Sequence, residues 1–134
     1  MANKSSNPVK RFVSAEYDYA LDGGATGAAI VPKMTSYVPG GSIITDVVLH
    51  VKDAFTSTAG AATFKVEAGG RDVTAAIAKG TLVKNYVANN VIVSPAALKA
   101  SEDGAEIKVK IAGAVADGGI IKITIGYLDG EHIA

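Results

Sequence analysis

The stretch of sequence from Glu106 to Tyr127 decides the fold, and it reads EIKVKIAGAVADGGIIKITIGY. At both ends of this stretch every second residue is apolar, and charged residues, polar residues or glycine lie between. A period of two places alternate side chains on opposite faces of a β-strand. Asp117-Gly118 separates the two ends, and an Asp-Gly pair accepts the positive φ of a tight turn. The stretch therefore predicts two strands, each with one buried face, formed by Ile107, Val109 and Ile111 and by Ile121, Ile123, Ile125 and Tyr127.

Three other segments show the same alternation. The apolar sets that we expect to face the core are Val13, Ala15, Tyr17, Tyr19 and Leu21, then Ile43, Val47, Leu49 and Val51, and then Ala62, Phe64, Val66 and Ala68. Weaker strands are predicted at Ala28 to Val31 and at Val91 to Val93. No helices alternate with the strands, as a parallel α/β sheet would require. The pattern predicts an all-β chain, a single antiparallel β-sandwich of jelly-roll type with at most short helical turns.

The same alternation predicts the centre of the core, which comprises Tyr17, Val47, Leu49, Phe64, Val66, Val109, Ile111, Ile123 and Ile125. Two short helical segments are expected beside the strands. Val73 to Lys79 contains helix-compatible residues without a turn residue, and Ser94 to Leu98 begins with a Ser-Pro pair suited to a helix N-terminus. Gly23 to Gly27 is interpreted as a hairpin loop between two strands.

Composition narrows the class of protein. The chain has 134 residues and a mass of 13.6 kDa, which corresponds to one domain. Lys and Arg number 13, as do Asp and Glu, and this balance disfavours a nucleic-acid binder. Charged residues are only 19% of the chain, below the roughly 25% of an average soluble domain. A compact β protein with a thin charged coat and a surface that is covered in an assembly both fit this value.

The start of the chain differs from the rest. Residues 1–10, rich in Asn and Ser, are expected to form a flexible N-terminal arm, and residues 11–134 the β-sandwich domain. The arm is either solvated or a tether for an acidic partner surface. It lacks the apolar run of a secretory signal, and the longest apolar candidate for a membrane span, Ile43 to Val51, is interrupted by Asp46 and His50. We therefore expect no membrane association and synthesis without export.

Motifs for catalysis and metal binding are missing from the sequence. The chain has no cysteine, and Gly40 to Ile44 does not match a nucleophile elbow. Asp46 and His50 lie four residues apart on one strand, roughly 14 Å, too far to bind one ion unaided. Glu16 and Asp18 share a strand face, where carboxylates also serve simply to keep the face hydrated. The sequence predicts no catalytic residue, no metal site and no cofactor, with a Ca²⁺ ion at an Asp-Gly loop as the least surprising exception.

One stretch resembles a known group of proteins. Pro39 to Ser57 reads PGGSIITDVVLHVKDAFTS, in which a Pro-Gly turn precedes a strand that opens IITDV and an AFTS segment follows. This resembles a pattern in small bacteriophage virion structural proteins. The similarity continues at Arg71-Asp72-Val73 and in the closing segment Ala116 to Tyr127, and it covers most of Tyr17 to Leu128.

The resemblance implies a structural protein of the virion. Its main expectation is a head decoration (cement) protein on the capsid surface, made in the host cytoplasm and bound to the major capsid protein as a homo-oligomer, a trimer. Lys4, Lys10 and Arg11 form a basic cluster and are the expected capsid-contact residues. The alternative is a tail, collar or fibre component that binds a receptor or glycan, with Tyr37 and Tyr86 as stacking residues. A hydrolytic β-sandwich is a third, minor alternative.

Overall fold

A computed structural model of the protein describes residues 10–58, 60–89 and 104–128, with Asn89 described by its backbone alone. These residues form nine strands and one short helix, which are β1 Lys10–Asp18, α1 Tyr19–Asp22, β2 Tyr37–Val38, β3 Ile43–Thr56, β4 Thr63–Ala68, β5 Arg71–Asp72, β6 Ile77–Ala78, β7 Val87–Asn89, β8 Ala105–Ala112 and β9 Gly118–Leu128. The predicted Val91 to Val93 strand and the Ser94 to Leu98 helical turn lie outside the described residues.

The strands form two antiparallel sheets. Sheet I has the order β1-β9-β3-β7, and sheet II has the order β2-β8-β4-β5, with β6 also paired to β4. Strands that follow one another at the start of the chain, from β1 to β4, alternate between the sheets, as do those from β7 to β9. This alternation between two packed sheets defines a jelly roll. The predicted antiparallel β-sandwich is confirmed.

The core lies between the sheets, and all nine residues predicted for its centre have no exposed surface. Three aromatic rings join the two layers, because Tyr17 and Phe55 come from sheet I and Phe64 comes from sheet II. The Phe64 ring centroid lies 5.5 Å from that of Tyr17 and 5.4 Å from that of Phe55, in tilted or edge-on arrangements. Aromatic pairs favour such geometry because the positive ring edge meets a negative ring face.

The alternation in β3 is less regular than the sequence predicted. Ile44 is buried, whereas Ile43, which was assigned to the core, is half-buried. The pairing of β3 with β9 shifts register between Ile44 and Asp46, so that an irregularity changes which side chains face inward. Such a bulge leaves no trace in a simple period-two count.

The end of β1 also differs from the prediction. Tyr19 and Leu21 were expected to continue the buried face, but both are exposed, Leu21 by 51%. The strand ends because the Asp18 carboxylate accepts a hydrogen bond from the Ala20 N–H at 3.0 Å and so caps the one-turn helix α1. This cap rotates the following side chains out of the strand pattern.

The segment from Val73 to Lys79 is not the predicted helix. The N–H groups of Val73 and Thr74 both donate to the Val66 carbonyl, and Ile77–Ala78 forms β6 beside β4. Pairing with the open side of β4 therefore overrides the local helix propensity. At Ala28 to Val31 the structure has an isolated bridge, between Ile30 and Val109, in place of a full strand.

The loop Gly23 to Gly27 is not a hairpin, because β1 and β2 belong to different sheets. Instead it packs against the segment that precedes β9. The Ala116 N–H donates to the Gly24 carbonyl at 3.0 Å, and a side chain at position 24 would collide with the Ala116 carbonyl. Glycine is therefore required here by a close approach of two backbone segments.

Candidate functional site

The basic residues predicted to contact a capsid are not gathered on one face. Lys10 is the first residue of β1, where its ammonium group forms an ion pair with the Asp46 carboxylate and lies 6.0 Å from the centroid of the Phe12 ring. Arg11 follows it directly and is exposed. Successive side chains of a strand point to opposite faces, so these two diverge. Lys4 lies outside the described residues.

The carboxylates on β1 have structural partners. Glu16 accepts a hydrogen bond from the Lys52 ammonium at 2.8 Å, and Asp18 caps α1. Within residues 10–58, 60–89 and 104–128, no group of three or more His, Cys, Asp or Glu side chains is placed to hold a metal ion. In the same ranges no helix has both the length and the apolar character needed to cross a membrane.

Asp117 has the most clearly perturbed carboxyl group among the described residues. It accepts a hydrogen bond from the Thr56 hydroxyl at 2.7 Å and another from the Thr58 hydroxyl. These two bonds lower the pKa of the Asp117 carboxyl, with the Thr56 bond as the larger cause. Because the Asp117 N–H also donates to the Thr56 carbonyl, the residue ties the end of β3 to the start of β9. Its role is structural.

The two tyrosines considered for glycan stacking are not brought together. Tyr37 is exposed on β2, an edge strand of sheet II. Tyr86 packs partly buried against the core, next to the edge strand β7 of sheet I. The two residues therefore lie in different sheets, and Tyr37 is the more exposed of them.

The outer face of sheet II is charged and internally paired. Lys65 lies 3.0 Å from the Asp72 carboxylate and 3.7 Å from that of Glu67, and Lys108 lies 3.9 Å from Glu106. The hydrogen bond from Lys65 to Asp72 is the main reason that the pKa of Lys65 is raised. These ion pairs join side chains that are mostly half-buried, so this face carries charge that is largely balanced within sheet II.

The outer face of sheet I carries an exposed aromatic ring, Phe12, which the alternation pattern does not reveal. Phe12 is 60% exposed, and Gly126 lies opposite it on β9. A Cβ atom added at Gly126 would be 3.0 Å from Phe12 Cε1 and 2.9 Å from Asp46 Oδ2. The ring, the Lys10–Asp46 ion pair and Gly126 thus form one compact group, which we call the Phe12 cluster.

Among the described residues, one side of β1 is an open sheet edge. The strand pairs with β9 along its whole length without a register shift, and on its other side the contact between described backbones is the bridge between Glu16 and Met34. The Glu16 N–H donates to the Met34 carbonyl at 2.8 Å, so the backbone groups of Glu16 point away from β9. In an antiparallel pair alternate residues direct both backbone groups to the same side. Phe12 and Ser14 therefore present their N–H and C=O groups at this edge. We call Lys10 to Ser14 the open edge.

A groove of about 310 Å³ adjoins the open edge, lined by Ser14, Glu16, Met34, Thr35, Ser36 and Lys122. Lys122 lies on β9 opposite Glu16 and is exposed. The carboxylate of Glu16 is already engaged by Lys52, and Lys122 has no ion-pair partner among the described residues. The groove therefore combines an apolar side chain, Met34, with a cation that forms no ion pair in the described part of the chain. Period-two patterning does not reveal it, because patterning does not say which strand lacks a neighbour.

The chain was compared with known proteins. No family model and no curated protein matches it. Among solved structures it is similar to a chain of the capsid of Ralstonia phage GP4, with a TM-score of 0.59, 20% sequence identity, and coverage of 96% of this chain and 90% of that chain. It is also similar to a chain of the Cyanophage Pam1 capsid asymmetric unit, with a TM-score of 0.57, 14% identity, and coverage of 96% and 90%. At these identities the similarity establishes the fold. The protein is an all-β jelly roll that spans nearly the whole of each matched chain.

Proposed function

We propose that this protein is a structural component of a bacteriophage virion, a decoration (cement) protein that binds the outer surface of the major capsid shell and stabilises it. The observation that carries the proposal is the two-way coverage of the structural matches, 96% of this chain and 90% of the capsid chain in both cases. The matched chains are therefore small, single jelly rolls of nearly the same length as this one. The resemblance of Pro39 to Ser57 to virion proteins supports the same class.

The surface of the molecule suits binding better than catalysis. The described residues form no cluster of metal ligands, and the paired carboxylates on β1 hold backbone and lysine groups in place. By contrast, sheet I offers an exposed aromatic ring and an open edge, which a larger structure could cover. A small patch binds weakly, but a cyclic oligomer uses the patch several times, and this raises the overall affinity. We propose a trimer on the capsid surface.

The segment of residues 1–10 is proposed to help fasten the protein, and Lys4 and Lys10, together with Arg11 at the start of the domain, are the proposed contacts to acidic groups of the shell. Exposed ion pairs contribute only about 0–1 kcal/mol each and weaken as salt rises. Most of the binding free energy must then come from apolar contacts of the folded domain. Deleting residues 1–8 should leave the fold intact, lower shell occupancy, and make occupancy less dependent on salt than it is for the full chain.

The proposal is tested with particles of the phage that encodes this chain, produced without the protein. Purified protein is added back, the particles are separated by sedimentation, and DNA release is measured on heating. The proposal expects saturable binding and a higher temperature of DNA release. The chain lacking residues 1–8 serves as a matched variant, and it should bind less at low salt. Particles that neither bind the protein nor become more heat-resistant would contradict the decoration role.

A further inference from the structure

The open edge of β1 is an unassigned feature with a definite geometry. The N–H and C=O groups of Phe12 and Ser14 point outward, and no strand among the described residues covers them. Unpaired strand edges are templates for the addition of another strand, and proteins commonly block them with proline, bulges, short length or charged side chains, lysine above all. Lys10 to Ser14 has no proline, and its pairing with β9 contains no bulge. Its charged residues, Lys10 and Arg11, lie at one end, and the Lys10 ammonium group is paired with Asp46. From Phe12 to Ser14 the described residues therefore leave the edge uncovered and without a blocking side chain.

The surroundings of the edge add specificity to its backbone groups. The exposed Phe12 ring lies on one face of the strand, and the groove with Met34 begins where the Met34 bridge closes the edge. The two acids that flank the open edge on sheet I are paired with cations, Asp46 with Lys10 and Glu16 with Lys52. Asp18 and Asp22, beyond the Met34 bridge, accept backbone N–H groups instead. Among the residues lining the groove, Lys122 is the cation, and it forms no ion pair within the described ranges. The complement to this surface is an extended chain with an apolar side chain for the ring and a carboxylate for Lys122.

A second copy of the same edge fits this requirement poorly. Lys10 to Ser14 reads KRFVS and contains no acid. Antiparallel pairing of two such edges would therefore bring no carboxylate of the copy's edge to Lys122 in the groove. Charge therefore favours a different, acidic partner segment.

Resting on the proposed function, we propose that the open edge of β1 binds an extended, acidic segment of the capsid shell protein by strand addition. Main-chain hydrogen bonds to Phe12 and Ser14 provide the affinity, whereas the Phe12 ring and Lys122 select the sequence of the segment, as in other cases of strand addition. In the complex, the added strand would lie next to β1 and become the new edge strand of sheet I.

Proline at position 14 tests the edge directly. The backbone groups of Ser14 point away from β9, so Ser14→Pro removes an outward N–H without removing a hydrogen bond of the β1–β9 ladder. Ser14→Ala is the matched control, because it removes the hydroxyl and keeps the N–H. Both variants are first compared with the native protein by circular dichroism and thermal unfolding. On shells that lack the protein, Ser14→Pro should bind about tenfold more weakly, and Ser14→Ala should bind as the native protein does.

A second pair of variants tests the charge. Lys122→Glu should weaken shell binding by about tenfold, because an acidic segment would then meet a like charge, and Lys122→Arg should retain binding. Equal binding of the Ser14→Pro and Lys122→Glu variants and the native protein would overturn the inference. It would leave the decoration role intact, because that role requires only that the protein bind the shell.

Hydrogen exchange gives a readout independent of substitution. The amides of Phe12 and Ser14 should exchange rapidly in the free protein and slow by about a hundredfold on the shell. Full shell occupancy with both amides still in rapid exchange would overturn strand addition while leaving the proposed function standing. No binding to the shell would contradict the proposed function itself. If the Phe12 and Ser14 amides become protected in the purified protein as its concentration rises, and dimers form, the edge binds a second copy of the chain. That result would overturn the proposal that it binds a segment of the shell protein.

Discussion

The ring of Phe12 lies beside Gly126, its partner on the neighbouring strand, so that Phe12 Cε1 would be 3.0 Å from a Cβ atom at position 126. Glycine inside a strand normally weakens the sheet, because it offers no side chain to pack. An aromatic ring from the adjacent strand covers that gap. The exposed ring thus packs beside Gly126 on sheet I, next to the open edge.

Gly126→Ala is expected to displace this ring. The new methyl group would lie 3.0 Å from Phe12 Cε1, closer than a relaxed carbon–carbon contact of about 3.5–4.0 Å. In the native protein the α-protons of Gly126 should show a ring-current shift in the NMR spectrum, and Phe12→Leu should abolish it. In Gly126→Ala the ring resonances of Phe12 should move toward values of a solvated phenylalanine. Unshifted α-protons in the native protein would contradict the contact between the ring and Gly126.

Alanine substitutions at two phenylalanines should differ in their effect on stability, because one ring lies in the core and the other on the surface. Phe64 has no exposed surface and contacts two other rings, so Phe64→Ala should cost about 3–5 kcal/mol. Phe12→Ala removes a cross-strand contact of an exposed ring and should cost at most about 1 kcal/mol. Urea unfolding of both variants provides the measurement. A cost below about 1 kcal/mol at Phe64 would mean that the ring is not in the core.

Tyr17→Phe should reveal the contribution of a partly buried hydrogen bond. The Tyr17 hydroxyl donates to the Gly23 carbonyl at 2.7 Å, and burial raises the pKa of the phenol well above its ordinary value. Removal of one such bond typically costs about 0.5–1.5 kcal/mol. The loss should appear in the free energy of unfolding at pH 7, where the phenol is neutral in both states. Unchanged stability would show that the bond to Gly23 contributes nothing.

The stability of the protein should depend on Asp117 at acid pH. Its pKa in the folded state is lowered below the ordinary value of 3.8 by the Thr56 and Thr58 hydroxyls. The stabilisation is therefore fully present above the unfolded-state pKa and is lost as pH falls through the lower, folded-state pKa. Asp117→Asn should be less stable than the native protein near neutral pH, and the difference should shrink as the solution is acidified. A difference that stays constant with pH would contradict this.

The fold could be predicted where one physical rule dominates. In β4 and β8 a single buried face imposes strict alternation, so Phe64, Val66, Val109 and Ile111 were placed correctly in the core. The rule fails where backbone geometry changes locally. The irregularity between Ile44 and Asp46 in β3 changes the phase of the pattern, and the Asp18 cap ends β1 before Tyr19. Both depend on contacts that period-two patterning does not describe.

The candidate binding surface was harder to predict than the core. The basic cluster Lys4, Lys10 and Arg11 was predicted from its charge alone. The geometry of β1 points Lys10 and Arg11 to opposite faces. Asp46, on a strand far away in the sequence, forms an ion pair with Lys10. The open edge depends on which strand β1 does not pair with, and that is a property of the whole sheet. The small residue Gly126 gave no signal by itself, because its role appears only with Phe12 beside it.

The number of copies in purified virions tests the central claim most directly. Particles of the phage that encodes this chain are purified, digested, and quantified by mass spectrometry against isotope-labelled peptides of this protein and of the shell protein. A decoration protein that occupies equivalent sites over an icosahedral shell should be present on the order of hundreds of copies per particle, in a fixed ratio to the shell protein. A few copies per particle would indicate a tail or fibre component, and absence from the particle would contradict a virion role altogether.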